Sequence, residues 1–142
     1  MVWVNAPRLR KITLLMFVCI TANAIAMIVY ASEKDDMDSI FEGVLSRYVS
    51  KDGLVNYKGL KENKEFMKYI EYLSDTDPET LPSEKHRLTF WINAYNAFVI
   101  KGVLEEYPIK SVRDVGWIPH SFFIRKKFEI KHGKITLRAI EN

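Results

Sequence analysis

The segment formed by residues 90–98 constrains the fold most, because it places two asparagines, three residues apart, inside an otherwise apolar run with helical spacing. A buried primary amide without hydrogen-bond partners costs about 1–3 kcal/mol. Asn93 and Asn96 must therefore either hydrogen-bond to neighbouring backbone segments or face a ligand. We favour the first role, because an asparagine on an internal helix often fixes the packing of an adjacent strand or loop.

The spacing of apolar residues along the chain predicts one long helix with shorter elements around it. A proline at position 108 ends the long helix, and a tight turn at His132-Gly133 separates two short segments with a β pattern. The predicted elements are helices at residues 36–48, 64–73 and about 83–106, an extended piece at residues 54–57, one helical turn at residues 111–114, a hairpin of residues 128–130 and 135–137, and the first turn of a helix at residues 138–142. The sequence therefore predicts an α+β fold, in which N-terminal amphipathic helices lie around a long central helix and a β-hairpin follows.

One cluster on the long helix resembles a binding site. His86 lies on the same helical line as Asn93, since successive residues turn by about 100°, and Asn96 flanks that line. Trp91 and Tyr95 lie on the opposite side, so both sides carry packing residues and we expect the helix to be enclosed. The candidate ligand-binding or structural motif therefore consists of Trp91, Asn93, Tyr95, Asn96 and His86.

No complete catalytic or metal-binding constellation is present in the sequence. His86, His120 and His132 are far apart and belong to different elements, without the short ligand spacings typical of zinc sites. Glu105 and Glu106 fall in the last turn of the long helix, and we expect them to face water rather than to form an acid–base pair. We therefore predict no metal and no cofactor, and we assign no catalytic residue.

The charge distribution argues against a nucleic-acid partner. The first 31 residues contain Arg8, Arg10 and Lys11 and no acidic residue, whereas the other residues hold 18 Lys and Arg against 18 Asp and Glu. The net charge of +3 therefore belongs to the N-terminal segment, and no basic footprint for a phosphate backbone remains.

Six basic residues nevertheless gather around the predicted hairpin, where only Glu129 opposes them. A basic ribbon would suit an anionic membrane surface or an acidic partner. We favour the ordinary interpretation, in which these residues form the outward side of a strand pair. The six are Arg125, Lys126, Lys127, Lys131, Lys134 and Arg138.

Residues 1–31 have the order of an export signal, with basic residues, then a mostly apolar run at residues 12–31, then a polar stretch. We expect cleavage after Ala31 and a periplasmic or extracellular location. The alternative is an uncleaved single-pass anchor that holds the domain outside the cytoplasm, since about 20 apolar residues suffice to cross a bilayer. Cys19, the only cysteine, lies in the apolar run, so residues 32–142 can form no disulfide and offer no cysteine nucleophile.

Several motifs match the pattern of a known family. They are residues 52–57, residues 73–74 with Pro78, residues 90–97, residues 107–114, and the hairpin with residues 137–141. On these motifs the part of the chain from residue 32 to residue 142 resembles the domain-of-unknown-function 547 family, which occurs in bacterial envelope proteins and in some plant proteins. The most specific motif is tryptophan-x-asparagine-x-tyrosine-asparagine at residues 91–96, followed by tyrosine-proline at residues 107–108.

The resemblance implies that residues 32–142 form the N-terminal portion of a larger domain. Fuller family members continue past the position of Glu141 with a histidine, a further helix and a later segment that carries histidine and cysteine, whereas this chain has Asn142. The helix predicted at residues 138–142 also stops after one turn. We therefore expect a truncated domain of marginal stability, with apolar faces of the long helix left uncovered.

Three functional interpretations stay open. The first is an exported protein without activity of its own, in which Trp91, Tyr95 and Phe98 belong to the core. The second follows from a loose similarity of the family to papain-type cysteine hydrolases: the chain would be part of an envelope enzyme whose histidine and cysteine segment lies downstream. The third is a binding module for a small molecule or a peptide, and none of the three identifies the partner.

Overall fold

The computed structural model describes residues 36–116 and 120–142, together with the single residues 25, 28 and 29. Apart from those three positions, the predicted signal or anchor at residues 1–31 lies outside the described residues. Within the described part of the chain, no helix is both long and apolar enough to cross a bilayer. The chain divides into two compact units, Met1–Ser39 and Ile40–Asn142. The second unit holds both described strands and every described helix that begins after residue 40.

Within residues 36–83, three α-helices precede the long one. Helix α1 occupies residues 36–48, α2 is the single turn Tyr57–Leu60, and α3 comprises Lys64–Asp75. In the second unit, the ring of Phe41 on α1 stacks on the ring of Tyr69 on α3, with centroids 4.3 Å apart, and both rings are buried. The two amphipathic helices predicted in this region are therefore confirmed, and aromatic stacking fixes one against the other.

The predicted extended piece at residues 54–57 is formed only in part. Val55 makes an isolated antiparallel bridge with Val49, but α2 begins directly after Asn56. The side chain of Asn56 accepts a hydrogen bond from the backbone N–H of Gly59 at 3.0 Å. This is the capping interaction that starts a helical turn, so it ends the extended backbone after a single bridge.

The long helix α4 comprises Glu84–Glu106, as predicted. Ser83 caps its start, since the Ser83 hydroxyl accepts a hydrogen bond from the backbone N–H of His86 at 3.4 Å, and Tyr107-Pro108 follows its last residue. Its buried face carries residues at helical spacing that belong to the core of the second unit. They are Phe90, Ala94, Ala97, Phe98, Ile100, Gly102 and Val103.

A short helix and a β-hairpin follow α4. Helix α5 comprises Ser121–Arg125, and the antiparallel strands β1 (Lys127–Ile130) and β2 (Gly133–Thr136) come next. The predicted hairpin and the α+β class are confirmed, although the turn residues are Lys131 and His132 and the glycine already belongs to β2. Gly133 has a φ of 137°, in a region that side chains rarely adopt, which explains the glycine at this position.

The hairpin and α5 pack on the buried face of α4. The ring of Phe128 on β1 stacks on Phe98, with ring centroids 4.8 Å apart and an interplanar angle of 7°. Gly102 permits the close approach of α5, because a Cβ atom at this position would lie 2.7 Å from Cζ of Phe122. Phe122 is fully buried, so these two contacts form the centre of the C-terminal part of the core.

The opposite side of α4 is exposed, and the expectation of an enclosed helix is wrong for this side. Leu88 is 61% exposed and Ile92 is 52% exposed. The last helix, α6 (Leu137–Glu141), lies next to this side of α4. The hydroxyl of Thr136 caps α6 by accepting a hydrogen bond from the backbone N–H of Ala139 at 3.2 Å.

Candidate functional site

A groove with mostly apolar walls lies between α4 and α6, and we call it the α4–α6 groove. Its volume is about 250 Å³. The exposed side chains of Leu88 and Ile92 form one wall, together with the half-buried ring of Trp91. The full set of lining residues is Leu88, Trp91, Ile92, Tyr95, Asn96, Ile140 and Glu141.

A hydrogen bond between α4 and α6 forms the polar end of this groove. The hydroxyl of Tyr95 donates to Oε1 of Glu141 at 2.8 Å. Burial and the hydrogen bond to the Glu141 carboxylate both raise the pKa of Tyr95, because each disfavours the phenolate. Within the described ranges, the other carboxylate oxygen of Glu141 has no hydrogen-bond partner and Glu141 forms no ion pair. A carboxylate accepts up to about four hydrogen bonds, so Glu141 retains accepting capacity at the surface of the groove.

A second depression lies on the other side of this hydrogen bond, and we call it the α5–α6 cleft. Its volume is about 260 Å³, and it is lined by Tyr95, His120, Phe123, Ile124, Arg138 and Glu141. His120 directly precedes α5 and has a φ of 66°, which is uncommon for a residue other than glycine. Among the described residues, neither the His120 ring nor the Arg138 guanidinium group has a hydrogen-bond or ion-pair partner.

The structure separates the five residues of the predicted motif. Trp91, Tyr95 and Asn96 line the α4–α6 groove. Asn93 is half-buried and does not line it. His86 is exposed at the start of α4, where its Nδ1 lies 2.7 Å from the hydroxyl of Ser83. Three of the five residues are therefore brought together, and His86 is not one of them.

The predicted role of Asn96 is corrected. Asn96 is exposed, and its amide nitrogen donates to the backbone carbonyl of Ile92, one turn earlier in the same helix, at 3.0 Å. Asn96 therefore does not tie α4 to another described segment. Among the residues expected in the core, Phe98 is buried, whereas Trp91 and Tyr95 are half-buried because they form groove walls.

Sequence reasoning missed four residues of the groove. Leu88, Ile92 and Asn96 follow one another at intervals of four residues, so they lie along one face of α4. This helical spacing is the signal that could have identified Leu88 and Ile92 as groove residues. Ile140 and Glu141 gave no local signal, since only the packing of α6 beside α4 brings them to the groove.

The basic residues around the hairpin are neutralised more than predicted. The ammonium group of Lys126 lies 3.0 Å from Glu105 and 2.6 Å from Glu106, and Lys134 lies 2.7 Å from Glu129. Partial burial lowers the pKa of Lys126, but the hydrogen bonds that its ammonium group donates to the carboxylates of Glu106 and Glu105 prevail and raise the pKa. Glu105 and Glu106 therefore do not simply face water: they form an ion cluster at the end of α4.

In the described ranges, no three His, Cys, Asp or Glu side chains cluster as ligands of a metal ion would.

Residues 78–142 match the model of a family described as "Protein of unknown function, DUF547". The match confirms the resemblance inferred from the sequence. It covers the C-terminal part of the chain, with α4, the hairpin, α6 and every residue of the α4–α6 groove and the α5–α6 cleft. The motifs at residues 52–57 and 73–74 lie outside the matched DUF547 segment. No curated protein and no solved structure matches the chain.

Proposed function

We propose that this chain is an exported binding domain whose α4–α6 groove takes up a small ligand with an apolar group beside a hydrogen-bond donor. The observation that carries the proposal is the Glu141 carboxylate, which Tyr95 orients at the end of an otherwise apolar groove. An oriented acceptor beside exposed apolar walls is the combination by which small-molecule sites achieve both affinity and orientation.

The apolar walls supply the affinity. Leu88 and Ile92 are more than half exposed, and covering apolar surface contributes about 25 cal/mol per Å². The polar end supplies orientation, since the second carboxylate oxygen of Glu141 and the carbonyl oxygen of the Asn96 side chain accept no hydrogen bond from any described residue. A ligand that donates a hydrogen bond, above all an ammonium group, complements this end of the groove.

Binding is better supported than catalysis by residues 32–142. A papain-type mechanism needs a thiolate nucleophile beside a base, and the only cysteine of the chain is Cys19. Residues 32–142 therefore do not supply the thiol that a papain-type hydrolase requires.

Export is the second part of the proposal and is supported by the order of residues 1–31. Fractionation of cells that produce the full-length chain, followed by mass spectrometry of the exported product, tests it. Loss of residues 1–31 is expected for a cleaved signal, whereas an intact mass in the membrane fraction supports the anchor. Recovery of the intact chain in the cytoplasm contradicts the proposal.

The binding proposal is tested by NMR titration of the full-length chain with phenethylamine, which carries a phenyl ring and an ammonium group. We expect saturable shifts of the Trp91 indole N–H and the Ile92 methyl signals, with a dissociation constant of about 1 mM, given the usual affinity per ligand atom. Leu88→Ser should weaken binding at least about threefold, because it removes apolar wall area.

Leu54→Ser is the matched control, since Leu54 is 72% exposed but does not line the groove. This control variant should bind phenethylamine as the unaltered chain does. Two results contradict the proposal: equal effects of the two leucine substitutions, or a concentration-dependent dimer that buries Leu88 in place of the ligand.

A further inference from the structure

We propose that the ligand is a zwitterionic amino acid with an apolar side chain, bound across the Tyr95–Glu141 hydrogen bond. Its side chain lies in the α4–α6 groove, its ammonium group contacts Glu141, and its carboxylate contacts Arg138 in the α5–α6 cleft. This inference rests on the proposed binding function of the groove and identifies the chemical class of the ligand.

The two depressions share a wall. Tyr95 and Glu141 line both the α4–α6 groove and the α5–α6 cleft. A ligand group held at Glu141 is therefore within reach of both sides. The volumes of about 250 Å³ and about 260 Å³ each fall below the roughly 300 Å³ at which typical small-molecule sites begin. Each depression alone suits one group of a ligand, and a ligand with two ends uses both.

The charges of the two depressions differ. Among the described residues that line the α4–α6 groove, Glu141 is the only charged one, whereas the α5–α6 cleft adds Arg138 and the His120 ring. The Arg138 guanidinium group forms no ion pair or hydrogen bond with any described residue. An arginine without a partner beside an imidazole is a suitable site for a carboxylate, since the guanidinium group presents paired N–H donors.

A simple anion is a poorer occupant than a zwitterion. Glu141 lines the same cleft as Arg138, so an anion without a positive group would be repelled by the Glu141 carboxylate. An ammonium group on the ligand converts this repulsion into an attraction. Arg138 and Glu141 are three residues apart on α6, and such residues have Cβ atoms about 5–6 Å apart on one helix face. Adjacent ammonium and carboxylate groups of an amino acid match this spacing.

The experiment compares three probes that share a phenyl ring in titrations of the full-length chain: phenethylamine, phenylalanine and 3-phenylpropionate. Phenylalanine is expected to bind about tenfold more tightly than phenethylamine, because its carboxylate adds charge-assisted hydrogen bonds. It should also bind more tightly than 3-phenylpropionate, which lacks the ammonium group. Arg138→Gln should abolish the advantage of phenylalanine over phenethylamine, because the ligand carboxylate loses its cationic partner.

Arg113→Gln is the matched control, since Arg113 is exposed in another part of the chain and lines neither depression; it should preserve the advantage. Arg138→Lys keeps the positive charge and should retain part of the advantage of phenylalanine over phenethylamine. If phenethylamine binds but phenylalanine binds no more tightly, the zwitterion inference is overturned and the binding function stands. Equal affinities of phenylalanine and 3-phenylpropionate also overturn it. If no probe binds, the proposed function itself fails.

Discussion

Tyr95 on α4 donates a hydrogen bond to Glu141 on α6 at 2.8 Å, across 46 positions of the chain. This bond closes the polar end of the α4–α6 groove and forms the wall that the groove shares with the α5–α6 cleft. A change at either residue therefore alters both depressions and the attachment of α6 to α4.

Tyr95→Phe should reduce the free energy of unfolding by about 1 kcal/mol or less. A hydrogen bond to a charged group contributes about 1.5–3 kcal/mol in buried settings, but Glu141 is exposed and solvent weakens the interaction. Urea unfolding followed by circular dichroism measures the effect. Tyr57→Phe is the control, because Tyr57 is also half-buried but its hydroxyl has no hydrogen-bond partner among the described residues. A larger loss for the control would contradict the assignment.

Glu141→Gln should lower the pKa of Tyr95. Burial raises this pKa first, and the hydrogen bond and charge of Glu141 raise it further. The substitution removes the negative charge but not the burial, so the pKa should fall toward the ordinary value without reaching it. The chemical shift of the Tyr95 ring carbon that bears the hydroxyl, followed by NMR between neutral and alkaline pH, reports the change. An unchanged titration midpoint would show that Glu141 does not act on Tyr95 in solution.

Gly102→Ala should destabilise the fold, although alanine favours helices by about 1 kcal/mol over glycine. The added Cβ would lie 2.7 Å from Cζ of the fully buried Phe122, and overpacking of a core costs about 1–3 kcal/mol. Gly43→Ala on α1 is the matched control, because the nearest atom to its Cβ is the end of the Arg47 side chain at 4.0 Å. Thermal unfolding should show a lower melting temperature for Gly102→Ala and an equal or higher one for Gly43→Ala. A rise for both would argue against close packing of α4 and α5.

Asp77→Asn should flatten the dependence of stability on pH in the acid range. Nε2 of His132 lies 2.9 Å from Oδ2 of Asp77, and this bond, followed by the hydrogen bond from the Glu79 backbone N–H, lowers the pKa of Asp77. A lowered pKa in the folded state means that the ionised carboxylate stabilises the fold. The contribution is present above the pKa of the unfolded chain, about 4, and is lost as the pH falls through the lower pKa of the folded state.

Unfolding at a series of pH values from 2 to about 6 measures this dependence. Asn at position 77 can still accept the hydrogen bond from the Glu79 N–H, but its NH2 group then takes the place of the oxygen that faces His132. The difference therefore reports the loss of the charge together with the His132 contact. Asp52→Asn is the control, since Asp52 is exposed and has no ion pair or hydrogen bond among the described residues. The same flattening in the control would remove the specific role of the His132–Asp77 contact.

Local signals predicted the elements with the strongest patterns. The Ser83 cap and Tyr107-Pro108 set both ends of α4, and the glycine at position 133 marked the hairpin. The extended piece predicted at residues 54–57 is longer than the one observed, because Asn56 caps a helical turn and does not continue a strand. In each case the outcome depended on groups within a few residues, so the relevant physics was already present in the local chain.

The candidate site was predicted only in part. Trp91, Tyr95 and Asn96 were identified from their positions on one helix. Glu141 was missed because no residue near it in the sequence indicates Tyr95 as its partner. The exposure of Leu88 was missed because helical periodicity shows which residues share a face but not which face is covered.

Sequence alone predicted α1, α3, α4, the first turn of α6 and the hairpin, because these depend on short-range sterics, hydrogen bonds and apolar spacing. Its motifs also carried the resemblance to the DUF547 family, whereas α2 and α5 were not predicted. The tertiary structure decided which side of α4 is buried by Phe122 and Phe128 and which side remains exposed as a groove. It also decided that Glu141 meets Tyr95 and that Lys126 meets Glu105 and Glu106. These contacts join residues that are distant in the chain, and their formation depends on how whole elements pack.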